Sequence, residues 1–123
     1  VYKRQFYDWN ILLNKEGGPN HVGNYCDAPF LFDEDRKELL QRMSADYYWH
    51  FAHFIQPGAV RLGFSRYTDE IDVTAWENPD GRIVLILLNR GDKAIPAHIR
   101  ISGKETEIVL SAHSIVSGVI SGE

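Results

Sequence analysis

The sequence predicts an α+β chain in which a helix-bearing first half gives way to an antiparallel β-sandwich. Three observations carry that reading. Apolar residues at Leu40, Met43, Tyr47, Phe51 and Phe54 recur every three or four positions, the stripe of an amphipathic helix. Beyond Pro57-Gly58 the pattern becomes short alternating runs with turn signals about ten residues apart, the spacing of a small sandwich. The 123 residues are 44% apolar and 24% charged, which suits a packed chain and excludes a disordered one, and the length cannot hold two ordinary domains.

The elements follow in order. Phe6 to Leu13 reads as a strand that enters a long polar loop, Asn14 to Asn24. The helical periodicity allows a start as early as Asp35. Ser44 can cap the part that runs to Ile55, and Pro57-Gly58 stops it. Ile71 to Trp76 alternates, placing Ile71, Val73 and Ala75 on one face of a strand. Asn78-Pro79-Asp80-Gly81 is a turn, because Pro presets φ and Gly accepts a positive φ. Arg82 to Asn89 follows, apolar on both faces, as a central strand is. Asn89-Arg90-Gly91-Asp92 turns the chain again. Ile95, Ala97, Ile99 and Ile101 alternate with polar positions and with Pro96, whose missing N–H places it at a strand start or a sheet edge. Ser102-Gly103-Lys104 is the next turn, and Thr106 to Leu110 and Ser114 to Ile120 complete the strands.

Charge and motif content exclude several function classes. Thirteen Lys and Arg against seventeen Asp and Glu give a net charge of −4 with interspersed signs, so neither nucleic acid nor an anionic membrane is an expected partner. The longest aliphatic run, Ile83 to Leu88, is far too short to span a bilayer. No signal-peptide pattern follows Val1, and the absence of an initiator Met leaves room for residues upstream. The single cysteine, Cys26, excludes an internal disulfide and a cysteine metal cluster. There is no phosphate loop, dinucleotide fingerprint or Cys-x-x-Cys, and no cofactor is expected. His50 and His53 stand three apart on the predicted helix, a possible metal pair, but no third ligand is near and they read as ordinary helix histidines. Asp33-Glu34-Asp35 reads as a solvated turn.

The most informative run is Asp8-Trp9-Asn10-Ile11-Leu12-Leu13-Asn14-Lys15-Glu16-Gly17-Gly18-Pro19-Asn20, followed by Asn24. It resembles the C-terminal signature of glycoside hydrolase family 30, the glucosylceramidase-like retaining β-glycosidases. Asp27-Ala28-Pro29-Phe30, then His50 to Ile55 with Pro57-Gly58, then Asn78 to Gly81 with Val84 to Asn89, and finally Ser111 to Ile115 each resemble a later segment of the same family. Nearly the whole chain is covered. His21 stands where close relatives often have Trp, and Trp49 where many have Gly, which leaves substrate preference open.

The resemblance implies a part of an enzyme. Residues 1–57 would be the end of a (β/α)8 barrel, its last strand, loop and helix, and residues 58–123 the β-sandwich beside it. It also implies a short irregular or extended stretch over Glu38 to Arg42, with the helix starting near Ser44. The family's two catalytic glutamates lie on earlier strands, and no Glu here matches either, so no catalytic residue is expected in this chain and none for metal. Trp9 and Asn24 match positions that line the family's glycone pocket. Trp9 would end the last barrel strand, at the face where such enzymes collect their functional groups. From composition alone Trp9 reads first as a core aromatic and Asn24 as a turn residue. A carbohydrate or glycolipid substrate and the missing N-terminal barrel region are the implied partners, and the isolated chain is expected to self-associate through surfaces the barrel would cover. Two other readings stay open: an autonomous sandwich that binds carbohydrate or acts as a scaffold, and a non-catalytic interaction protein.

Overall fold

A computed structural model describes residues 7–121. Its contacts divide the chain into two compact units, residues 1–48 and 49–123, with the division falling inside the helix. In the first unit, β1 (Leu12–Asn14) runs parallel to β2 (Phe30–Asp33), and β2 pairs antiparallel with β3 (Glu38–Gln41). Leu13, Ala28 and Leu31 are buried and pack with Leu40, a small core of three strands and the segment entering β2. The β2–β3 turn is built by Asp33, whose Oδ1 accepts the N–H groups of Asp35 at 2.9 Å and Arg36 at 3.2 Å. That side chain is buried, so the acidic turn is solvated only at its tip.

Several expectations change here. The strand expected from Phe6 to Leu13 is shorter and later, and Phe6 lies outside the described residues. The ladder begins at Leu12 because the partner strand opens there, with Leu12 opposite Phe30. No helix starts at Asp35. The chain forms β3 instead, matching the extended stretch that the family resemblance implied. Helix α1 (Met43–Phe54) begins one residue before Ser44, which therefore sits inside the first turn. The helix opens with the Ala45 N–H on the Arg42 carbonyl at 2.9 Å, and Asp46 in that turn favours the positive end of its dipole.

The second unit holds the last turns of α1, then β4 (Val60–Arg61), β5 (Ile71–Glu77), β6 (Ile83–Asn89), β7 (Ile95–Ile101), β8 (Lys104–Leu110) and β9 (Ser114–Ile120). β4, β5, β6 and β9 form one antiparallel sheet in that order, and β7 and β8 form a second. The inner face carries the core. Ile71 of β5, Leu87 of β6, Ala97 of β7 and Leu110 of β8 are buried together, with Val73, Ile95, Ile99, Ile108 and Val116 packed around them. Each fully buried aliphatic side chain there contributes roughly 1.5–3 kcal/mol. β6 is central and buried on both faces, as its composition requires. Pro96 lies exposed in the two-stranded sheet, where no second ladder asks for its N–H. β8 starts two residues earlier than expected. Ser102 (φ 49°) and Gly103 (φ 80°) both take positive φ, the geometry of a two-residue hairpin loop whose twist suits the flanking strands.

Two asparagines read as turn residues are structural joints in this unit. Asn78 is buried; its Oδ1 accepts the Gln56 N–H at 3.0 Å and its Nδ2 donates to the Phe54 carbonyl at 2.9 Å, so it satisfies the end of α1. Asn89 is fully buried at the end of β6. Its Nδ2 donates to the carbonyls of Lys93 and Ser111 at 2.8 Å and Leu110 at 3.3 Å, and its Oδ1 accepts the Gly91 N–H at 2.9 Å.

Candidate functional site

The candidate residues lie on the stretch from Asp8 to Pro29 in the first unit. Asp8 is its anchor. Its Oδ1 accepts the Trp9 backbone N–H at 2.8 Å, and its Oδ2 accepts the Tyr48 hydroxyl at 2.5 Å. Donors aimed at a carboxylate favour its charged form. The Tyr48 hydroxyl first, and the Trp9 N–H after it, hold the Asp8 carboxyl below its ordinary range. The same bond to Asp8 pushes the Tyr48 phenol up, because the neutral phenol is the donor. Asp8 thus holds neighbouring backbone.

Trp9 sits three residues before β1 and is 90% exposed, so it is not a core side chain in this chain. Asn24 is also exposed, on the loop between β1 and β2. Among the described residues no hydrogen bond joins the two. They share a solvent-facing segment and are not brought into contact. A shallow hollow of about 380 Å³ in this unit is walled by Asp27, Gln41, Arg42, Met43 and Ser44, without Trp9 or Asn24.

The loop itself is firmly shaped. The Asn14 Oδ1 accepts the N–H groups of Gly18 at 2.7 Å and Glu16 at 3.2 Å, while the Asn14 N–H donates to the Gly18 carbonyl at 2.7 Å. The Gly17 carbonyl accepts the Cys26 N–H at 3.0 Å, which ties the loop's start to its end. Gly17 has φ +88°, and a Cβ there would stand 2.3 Å from the Cys26 carbonyl oxygen, so only glycine fits. Gly18-Pro19 is a cis peptide, and the Asn20 Oδ1 accepts the Gly23 N–H at 2.7 Å to close the far turn. Gly17 to Asn20 therefore shape the loop. At its base Lys15 pairs with Asp33 and Asp35, and the Arg36 amide foremost keeps the Asp33 carboxyl below its usual range.

The two helix histidines have other occupations. In the second unit His50 Nδ1 lies 2.8 Å from the Ser117 hydroxyl, and His53 stacks on Trp49 with ring centroids 4.6 Å apart. Among the described residues no group of three or more His, Cys, Asp or Glu side chains is placed to hold a metal. Sequence reasoning missed Tyr48. It falls in the predicted helix with no local mark of its link to Asp8, which lies 40 positions away.

Known proteins supply the remaining comparison. Residues 2–56 match the glycosyl hydrolase family 30 TIM-barrel domain, and residues 58–118 match the family's beta sandwich domain. The chain is similar to the lysosomal acid glucosylceramidase of Mus musculus, 36% identical over 94 residues, which is 75% of this chain and 18% of the mouse protein. It is 37% identical over 91 residues to putative glucosylceramidase 1 of Caenorhabditis elegans, covering 72% of this chain and 17% of that protein. The crystal structure of SrfJ from Salmonella typhimurium superposes with a TM-score of 0.90 at 34% identity, covering 94% of this chain and 26% of SrfJ. An endo-β1,6-glucanase shares the fold at a TM-score of 0.83 and 24% identity, covering 94% of this chain and 26% of its own. The chain thus spans less than a fifth of the length of these two glucosylceramidases. With its two parts matched in succession to the two domains of one family, the chain belongs to glycosyl hydrolase family 30 and carries the end of the TIM-barrel domain followed by the β-sandwich domain.

Proposed function

We propose that this chain is the part of a retaining β-glycosidase that contributes Trp9 and Asn24 to the glycone pocket and supplies the lateral β-sandwich. The enzyme would hydrolyse O-glycosidic bonds of β-glucosides or glucosylceramide-like glycolipids, the class named in its relatives from mouse and nematode. One observation carries the reading: an almost fully exposed indole on a backbone whose N–H is fastened to a carboxylate. An exposed indole is costly in water and useful against a sugar, whose C–H face stacks on the ring while the indole N–H meets a hydroxyl. Asn24 adds an amide that both donates to and accepts from hydroxyls. Residues 1–57 form the barrel end in this reading, and residues 58–123 the sandwich.

The chain alone is inactive in this proposal. Retaining hydrolysis needs two carboxylates about 5 Å apart across the scissile bond, one as nucleophile and one as acid/base. Those come from the remainder of the barrel, which is also the physical partner of these residues. In the enzyme that carries this chain, Trp9→Ala lowers kcat/KM for an aryl β-glucoside more than tenfold while the protein stays folded. The isolated chain gives no turnover of the same substrate. An unchanged kcat/KM in the folded variant refutes the glycone role, and turnover by the isolated chain that is lost on mutating one of its own carboxylates refutes the fragment role.

The sandwich core favours a second reading. Its buried cluster is drawn entirely from strands between Ile71 and Val116, the composition of a module that closes on itself. An autonomous sandwich would bind carbohydrate or act as a scaffold without catalysis. Retained binding of a β-glucan by a chain carrying Trp9→Ala would support it.

A further inference from the structure

We infer that Tyr48 is a positioning residue for Trp9, acting through the Asp8 carboxylate to fix the backbone from which the indole projects. This deepens the glycone-pocket role proposed for Trp9 and rests on it. Trp9 precedes β1, so no ladder bond fixes its backbone. Among the described residues, the stretch is held at two points. On its far side the Ile11 carbonyl accepts the Phe30 N–H at 3.2 Å. On its near side Asp8 spends one carboxylate oxygen on the Trp9 N–H at 2.8 Å and the other on the Tyr48 hydroxyl at 2.5 Å. Tyr48 stands on α1, a helix of 12 residues, so the near anchor is an element that does not share the freedom of the segment it holds.

The chemistry suits a fixed anchor. A phenol donating to a carboxylate is charge-assisted, and such bonds are shorter and stronger than neutral ones. Asp8 is held ionised and Tyr48 held neutral by the same bond, so donor and acceptor keep their roles throughout the neutral range. Within this chain the indole, at 90% exposure, gets no orientation from packing. Its direction depends on its backbone, and stacking against a sugar tolerates little misplacement, since an error of about 1 Å can cost up to a hundredfold in rate.

The test is a set of variants in the enzyme that carries this chain, measured with an aryl β-glucoside. Tyr48→Phe keeps the ring and removes the hydroxyl; Asp8→Asn keeps the shape and removes the charge. Each is expected to lower kcat/KM roughly tenfold. In a Trp9→Ala background neither is expected to lower it further, because no indole is left to position. A purely structural role would give the same loss in both backgrounds, and that result overturns the inference. So does wild-type kcat/KM in Tyr48→Phe while Trp9→Ala is impaired. If Trp9→Ala itself is harmless in a folded enzyme, the glycone reading falls and the positioning role falls with it. Should Tyr48→Phe not fold, Asp8→Asn carries the same comparison.

Discussion

Asn89→Ala should remove a large part of the stability of the sandwich. The side chain is fully buried, and its amide makes three contacts of good length: to the Lys93 and Ser111 carbonyls at 2.8 Å, and from the Gly91 N–H at 2.9 Å. A longer contact reaches the Leu110 carbonyl at 3.3 Å. A hydrogen bond contributes about 1 kcal/mol net, and a buried partner left unsatisfied costs about 1–3 kcal/mol. Three such losses, softened by water entering near the exposed Gly91 and Lys93, give about 3–5 kcal/mol. Domains of this size have roughly 5–15 kcal/mol in all. With a urea m-value of about 2 kcal/mol/M, the midpoint falls by about 2 M. The assay is urea unfolding followed by tryptophan fluorescence at matched protein concentration. Asn89→Asp is the control, since it keeps the acceptor for Gly91 but turns a carboxylate toward three carbonyls. Burial among those carbonyls raises the folded-state pKa of the new carboxyl. Its penalty is therefore smallest at acid pH, where it is protonated, and grows as pH rises. A midpoint for Asn89→Ala within about 0.3 M of wild type, equivalent to about 0.6 kcal/mol, would refute the hydrogen-bond reasoning.

Three further outcomes are expected. Gly17→Ala combines a positive φ with a Cβ 2.3 Å from the Cys26 carbonyl, and should cost about 2 kcal/mol or more in thermal unfolding. The Asp8–Tyr48 bond should persist across the neutral range. Because the Asp8 carboxyl is lowered from 3.8, its contribution is present above that value and lost as pH falls through the depressed folded value; because the Tyr48 phenol is raised from 10.0, its contribution is present below that value and lost as pH rises through the raised one. Carboxyl NMR titration of Asp8, compared with Tyr48→Phe, reads the acid limb, and an unchanged Asp8 titration would count against the bond. The isolated chain should self-associate at micromolar concentration, since Trp9, Ile11, Val22 and Tyr25 of the first unit are all more than half exposed. A clean 14.1 kDa monomer by light scattering would contradict this.

The strands of the second unit were legible because each satisfies a local rule. Alternation marks β5 and β7, a continuous aliphatic run marks β6, and Asn-Pro-Asp-Gly marks the turn between β5 and β6. The first unit was not legible to the same degree. β1, β2 and β3 have three, four and four residues, too few for a period to show, and the parallel partner of β1 begins 18 positions after it, at Phe30 opposite Leu12. The helical spacing of Leu40 and Met43 was real but misleading at its start. Leu40 packs on Leu13, Ala28 and Leu31 from a strand, where tertiary contact outweighs the pattern. Trp9 shows the limit from the other side. By composition Trp9 reads as a core aromatic, yet in this chain it is almost fully exposed, and the glycone pocket that the family resemblance implies for it leaves no local mark in the sequence.

Asn78 and Asn89 show why turn signals understate their residues. Both were legible as turn asparagines, which is a statement about φ and ψ within four positions. Their side chains act over longer distances: Asn78 closes the end of α1 at Phe54 and Gln56, and Asn89 reaches Leu110 and Ser111 at the end of β8. Asp8 follows the same logic in the first unit. Its neighbour is Trp9, yet its second oxygen is committed to Tyr48, 40 positions away. The Asn89 and Asp8 side chains each meet a local backbone group and a distant group at once, while Asn78 shapes its turn through its backbone and gives both side-chain bonds to the end of α1. A single substitution then removes a local conformation and a tertiary link together, which is why conservative variants that retain shape, Asp8→Asn and Tyr48→Phe, separate the two effects where alanine cannot.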